Sequence, residues 1–406
     1  MKRAVLPTPL LILILTAGVF TTGLNITVLG PLVRPIGAAF GLSDAAVGQL
    51  SALHALTAGL TAVLIAPWVD RFPRRLVLRA ECCLVVLATL LSALAPGYTA
   101  LALGRILAGL GGAIIGATCF AYAGDLFPDP QRRNRAIGIL SAAFSLASIV
   151  GLPIVTQLAH LAGWRWAMAA LLLPAGLAAL GTLLLPDFQR ASRAAQPPAE
   201  LARVREVLGN WRVNCLLAAL LLFCMPYASW TIYLAAFSET RFAADANALS
   251  LLFLVTGGAN LFGSVMLPVF LRRGSAARLY VLMATLVAAS LLGVGLLRGP
   301  WFLLLPFALV VGLGTTVLYL TSSVLLLEAM PAARGAVLAL QTGTFEAGWA
   351  LGAASAGGLL TLSVGYPAIY QLFGALLLLS LGFLALSAHR PQPALAPLPV
   401  PPPVEA

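Results

Sequence analysis

The sequence predicts an all-α membrane protein of twelve transmembrane helices, arranged as two six-helix halves. Three observations carry that prediction. The chain is 61% hydrophobic and only 9% charged, with a mean hydropathy of +0.99, whereas soluble domains carry about 25% charged residues. Its apolar residues fall into long runs, and about 20 such residues at helical rise cross a hydrocarbon core of roughly 30 Å. Finally, stretches of the second half echo stretches of the first, as expected of a chain built from repeated six-helix units.

Twelve runs are drawn, at 10–33, 44–69, 75–95, 98–123, 135–158, 163–186, 213–237, 248–270, 277–297, 300–328, 333–361 and 366–388. The first follows Lys2 and Arg3, but its apolar stretch is too long for a secretory signal and lacks a small-residue cleavage site. It reads as a retained helix. The expected organisation is a six-helix bundle over 1–186, a cytoplasmic linker over 187–212, a second bundle over 213–388 and a Pro-rich, solvated tail over 389–406. Within the linker, ELARVREVL has the composition of a short amphipathic surface helix. The half-chain echo sits after spans four and ten, where DLFPDPQRRNRAIGILSAAF and LEAMPAARGAVLALQTGTFE each carry an acid, a Pro, an Arg and then small residues.

The net charge of +11 is a topological signal, because Lys and Arg near span ends set orientation. With the N-terminus inside, nineteen basic residues fall in cytoplasmic segments and only Arg34, Arg165, Arg241 and Arg298 fall outside; Arg105 lies within a span. Both termini are therefore expected in the cytoplasm, and nucleic-acid binding is not expected. The five cysteines lie in spans without metal-ligand or disulfide spacing, so no metal and no cofactor are expected.

Residues 66 to 75, APWVDRFPRR, place Asp70, Arg71, Arg74 and Arg75 in the short loop between spans two and three. This resembles the signature loop of the major facilitator superfamily, Gly-x-x-x-Asp-Arg/Lys-x-Gly-Arg/Lys-Arg/Lys, although Ala66 and Pro73 stand where glycines are usual. Arg105 in LALGRILAGLGGA, the stretch GDLFPDPQRRNRAIG and the stretch GLPIVTQLAHLAGWRW extend the resemblance, which is closest to the twelve-helix drug:proton antiporter and arabinose-efflux branch. Gly151 and Pro153 partly match its span-five antiporter pattern. The resemblance implies the major facilitator fold and a transporter rather than an enzyme. It implies alternating access, and a cytoplasmic gate at Asp70, Arg71, Arg74 and Arg75. It also implies proton-coupled efflux of a small organic molecule from a bacterial inner membrane by a monomer. Uptake symport, uncoupled facilitation, a polytopic membrane enzyme and a channel are the alternatives. The three histidines, at 54, 160 and 389, are scattered, and no Walker sequence is present.

Ionisable groups inside spans are costly and therefore informative. Glu346 lies about the middle of span eleven, amid small residues that permit close helix contact. It is either the coupling carboxylate or a structural group hydrogen-bonded between helices. His54 is a proton-exchange candidate or a neutral hydrogen-bonding group, and Arg105, which must be paired or hydrated because it does not discharge, joins Glu346, His54 and Asn25 as a candidate for the coupling and substrate cavity. Asn25 occupies span one, where exporters of the resembled branch often carry an acid, and is a substrate hydrogen-bonding candidate. Glu81 and Glu239 read as interfacial. Phe20, Phe120, Tyr227, Trp230, Tyr233, Phe345 and Trp349 are candidate lining residues for an apolar cavity.

Overall fold

The computed structural model describes residues 8–69, 72–186 and 204–388. Among the described residues every regular element is helical. Eleven helices are long and apolar enough to cross a membrane. We label the spans α1 (Thr8–Thr27, continuing as Leu29–Phe40), α2 (Asp44–Val69), α3 (Arg74–Ala93), α4 (Tyr98–Leu126), α5 (Pro130–Ala162) and α6 (Trp164–Gly181). The second set is α7 (Trp211–Phe242), α8 (Ala246–Arg273), α9 (Ala276–Leu296), α10 (Trp301–Ala329), α11 (Arg334–Thr361) and α12 (Tyr366–Ala388). The helix outside the eleven is α11. At 28 residues it is long enough, about 42 Å at helical rise, but Gln341, Thr342, Thr344 and Glu346 dilute its apolar character. Of the linker, residues 204–209 are helical. Residues 187–203 and the tail from 389 lie outside the described residues.

Local chemistry explains most helix starts. Asp129 caps α5 by accepting from the Arg132 amide at 2.8 Å, ahead of Pro130 at the first helical position. Asp245 caps α8 in the same manner through the Ala248 amide, and Ser275 caps α9 through the Arg278 amide. Span one runs longer than its apolar stretch, continuing past Val28 through Pro31 and Pro35 to Phe40. The extension is held by tertiary packing: a Cβ on Gly30 would collide with the Thr231 carbonyl of α7, so the two backbones touch there. Arg34, expected in an outer loop, is thus the next-to-last turn of a helix.

The two sets of helices meet along three lines. Helix α1 packs on α7 at Gly30 and Thr231, and α5 packs on α8, where a Cβ on Gly257 would stand 2.8 Å from the Ile149 amide. The third contact, α2 on α11, runs nearly the full helix length, from Gly59 and Val63 against Glu346 and Gly343 to Gln49 against Gly357. Glycines on these faces matter because helices in lipid gain by close backbone approach rather than by hiding apolar surface.

Candidate functional site

Three of the four cavity candidates come together inside the first set. The Arg105 side chain is 1% exposed; its Nη2 donates to the Asn25 carbonyl at 2.7 Å, while its Nε has no partner. His54 lies against Arg105, with Nδ1 buried and unpartnered. Their approach is set by Gly109, where any Cβ would meet the His54 carbonyl and the Thr57 hydroxyl. Asn25 contributes its backbone rather than its side chain, whose amide donates to Thr21 of its own helix at 3.2 Å. No carboxylate pairs with Arg105 among the described residues.

Glu346 sits across from this trio on the α2–α11 contact. It is 8% exposed, and a Cβ on Gly59 would stand 3.0 Å from its own Cβ. No described residue donates a hydrogen bond to its carboxylate. Beside it, Phe345 and Trp349 flank an aromatic cluster with Tyr227 of α7 and Tyr319 of α10. Trp349 meets Tyr227 edge-on at 5.2 Å between centroids, and Tyr319 meets Phe345 at 5.3 Å. The Trp349 indole nitrogen is buried without a partner, which leaves a donor available in an otherwise apolar wall. Tyr319 was missed in the sequence, since nothing in YLTSS marks a ring facing another helix. Trp230 and Tyr233 belong to a different cluster, packing on Tyr370 and Tyr366 of α12. A cavity of about 20 Å³ remains between α1, α5, α7 and α8, lined by Thr27, Ser148, Tyr227, Thr256 and Asn260. It has room for about one water.

Among the described residues, four sets of polar contacts join the two sets of helices. Arg34 pairs with Glu239 at 3.6 Å, and Tyr366 donates from its hydroxyl to Asp44 at 2.5 Å. Gln49 donates to the Ala354 carbonyl at 3.1 Å, and Gln157 donates to Asn247 and Ser250 at 3.0 and 3.1 Å. All four lie at the end expected to face outward. Glu239 is thus a cross-bundle partner, as its place near a helix end allows.

At the opposite end, Asp70 and Arg71 lie outside the described residues, so the gate is represented by Arg74 and Arg75. Arg74 donates to Asp125 at 2.5 Å and to the Ala121 carbonyl at 2.6 Å, both on α4. Arg75 donates to the carbonyls of Thr182, at 3.0 Å, and Leu183 past the end of α6. Both arginines therefore tie three helices of one set together at their ends. Gly151 and Pro153 flank the end of a π-helical turn, Ala147–Gly151, in α5. That turn puts Gly151 on Leu24 of α1 and Ile149 on Gly257 of α8, consistent with the tendency of π-turns to mark functional positions. Glu81, seven residues into α3, is 8% exposed, because Gly111 lets α4 come within a Cβ's reach, 3.0 Å, of its backbone carbonyl.

Comparison with protein families decides the identity. A family model described as Major Facilitator Superfamily matches residues 15–298. The chain belongs to the Major Facilitator Superfamily. That superfamily is one of transporters rather than enzymes, and the chain is an integral membrane protein. Among individual relatives, this superfamily member is 34% identical over 158 residues to an uncharacterised MFS-type transporter of Bacillus subtilis, covering 39% of this chain and 38% of that one. It is 33% identical over 142 residues to a chloramphenicol efflux pump of Mycobacterium tuberculosis, covering 35% and 34% respectively. These matches span little more than a third of the relatives' lengths. A longer match, 29% identical over 373 residues and covering 89% of this chain and 90% of the relative, is to a protein of Pseudomonas aeruginosa named as a transcription regulatory protein.

Proposed function

We propose that the protein exports a small organic molecule in exchange for protons, by alternating access in a bacterial inner membrane, with both termini cytoplasmic. The observation that carries this reading is Glu346: a carboxyl group buried on the contact between the two sets of helices, with an aromatic wall beside it and no protein donor for it among the described residues. A carboxylate there is costly unless it meets water, a cation or a donor, so a proton and a substrate compete for it. Competition for one group is sufficient to couple opposite movements. The rings of Tyr227, Tyr319, Phe345 and Trp349 supply the apolar and planar contacts, and the free Trp349 N–H supplies a directional one. Export is supported by partial similarity to the chloramphenicol efflux pump and to a puromycin resistance protein of Streptomyces alboniger, 31% identical over 156 residues.

On the outer side, the contacts from Arg34, Asp44, Gln49 and Gln157 to the second set hold the path shut in this conformation. On the inner side, Arg74 and Arg75 stiffen the ends of α3, α4 and α6 so that they move as a block.

The test is transport in proteoliposomes with chloramphenicol as probe. Glu346→Gln keeps shape and removes titration. It is expected to retain exchange down a substrate gradient and to lose accumulation driven by a pH gradient. Accumulation at the wild-type rate between about pH 6 and 8 would place coupling on another group, His54 first. A second panel with D-xylose is warranted because the chain is also 32% identical over 140 residues to a D-xylose transporter of Levilactobacillus brevis.

A further inference from the structure

The cavity of about 20 Å³ between the two sets has room for about one water, and Tyr227 belongs both to its lining and to the aromatic wall beside Glu346. A molecule seated against that wall therefore has one oxygen-sized space next to it. No carboxylate, His, Lys or Arg is among the residues lining this space. Apart from the rings of Tyr227 and Trp230, its polar side chains are Thr27, Ser148, Thr231, Thr256 and Asn260.

The bonds these groups already make set what they can offer. The hydroxyls of Thr27, Thr231 and Thr256 donate to the Gly23, Tyr227 and Leu252 carbonyls of their own helices at 2.9, 2.9 and 2.8 Å. With its single proton so used, each can only accept. Asn260 is the reverse. Its Oδ1 accepts from the Thr316 hydroxyl at 2.9 Å and from Thr315 at 3.4 Å, both on α10. Thr316 has no other acceptor among the described residues, so its proton lies toward Oδ1 and decides which end of the amide faces α10. Nδ2 is left with two protons and no protein acceptor among the described residues, and it keeps accessible surface although the residue as a whole is 8% exposed. The approach of α10 is set by Gly312, where any Cβ would meet the Thr256 carbonyl.

We propose that Asn260 is a specificity-determining residue that seats a hydroxyl group of the transported molecule in this space, and that Thr316 positions it. The inference rests on the reading that a small organic molecule is transported in contact with the aromatic wall. A hydroxyl accepts from the Asn260 N–H and donates to a threonine oxygen, so one group the size of a water satisfies both. A carbonyl oxygen leaves the threonine oxygens unserved. An ammonium group meets the Asn260 N–H with no carboxylate in the lining to balance its charge. A site that bonds a hydroxyl in this way rejects the analogue lacking it, because its own polar groups are then left unpaired.

The experiment is competition binding to the full chain in phospholipid nanodiscs, with radiolabelled chloramphenicol displaced by unlabelled chloramphenicol or by its 1-deoxy and 3-deoxy analogues. Binding needs no pH gradient, so the outcome does not depend on whether Glu346 couples transport to protons. At least one deoxy analogue is expected to bind at least about tenfold more weakly than the parent. In Asn260→Leu the parent should weaken to the level of that analogue, closing the gap. Thr316→Val keeps shape and removes the hydroxyl that orients the amide; it should narrow the gap, and Thr316→Ser should restore it. A merely structural Thr316 would weaken parent and analogue alike. If Asn260→Leu elutes as aggregate in size-exclusion chromatography, the two Thr316 variants decide. Absence of saturable binding, equal binding of the three compounds, or a gap unchanged by the variants overturns the proposal.

Discussion

Removing one hydroxyl, in Tyr366→Phe, should release the outer end of the transporter more than removing a whole ion pair. The Tyr366 hydroxyl donates to Asp44 at 2.5 Å across the two sets of helices, and hydrogen bonds to charged groups contribute about 1.5–3 kcal/mol. Both residues are only partly buried, so water replaces some of the loss and the lower figure, about 1.5 kcal/mol, is the appropriate one. At about 1.4 kcal/mol per factor of ten, the outward-open population rises about tenfold. The ring itself stays, keeping its contacts with Tyr233 at 6.1 Å and Phe237 at 6.2 Å, so folding should be little affected. The Arg34–Glu239 pair is 3.6 Å apart with side chains 43% and 25% exposed, a geometry that contributes about 0–1 kcal/mol. Arg34→Met should therefore raise the open population less than about fivefold. The assay is labelling of Ala45→Cys by a membrane-impermeant maleimide added outside intact cells, in a Cys83→Ser background. Ala45 is 3% exposed in this conformation, so its labelling rate tracks opening. A Tyr366→Phe rate equal to wild type, or an Arg34→Met rate above that of Tyr366→Phe, refutes the reasoning.

Other expectations concern the inner ends, the aromatic wall and the orientation. Arg74→Gln loses charge-assisted bonds to Asp125 and the Ala121 carbonyl from a side chain only 14% exposed; it should cost about 1.5–3 kcal/mol and lower the melting temperature of the purified protein. Trp349→Phe removes a donor that has no protein partner, so stability should hold within about 1 kcal/mol while substrate affinity falls, as read by equilibrium binding of the transported probe. Reporter fusions after residue 195 and at the C-terminus should both behave as cytoplasmic, and an external result at either would overturn the expected orientation.

Membrane helices were legible in the sequence because the constraint that makes them is local. Without water, each backbone group must be satisfied within its own helix, so a window of about 20 residues contains the decision. Span two at 44–69 and span twelve at 366–388 match the observed helices residue for residue. The buried positions of Arg105 and Glu346 were legible on the same grounds, since a rare charge in an apolar run stands out.

What faces what was decided only by the tertiary structure. These helices are apolar nearly all round, some sides meeting lipid and others meeting protein, as the exposed Leu60 and Leu64 and the buried Ala55 and Ala58 of one helix show. Periodicity then carries little facial information. Helix α1 continues through two prolines because α7 receives it at Gly30. Arg74 bonds inside its own set because Asp125 ends an adjacent helix. Glu81 is shut in although it lies near a helix end, because Gly111 admits α4. In each case the deciding quantity is the distance between two helices far apart in sequence. That distance depends on glycines, tilt and rotation together, and no single window of the chain contains all three.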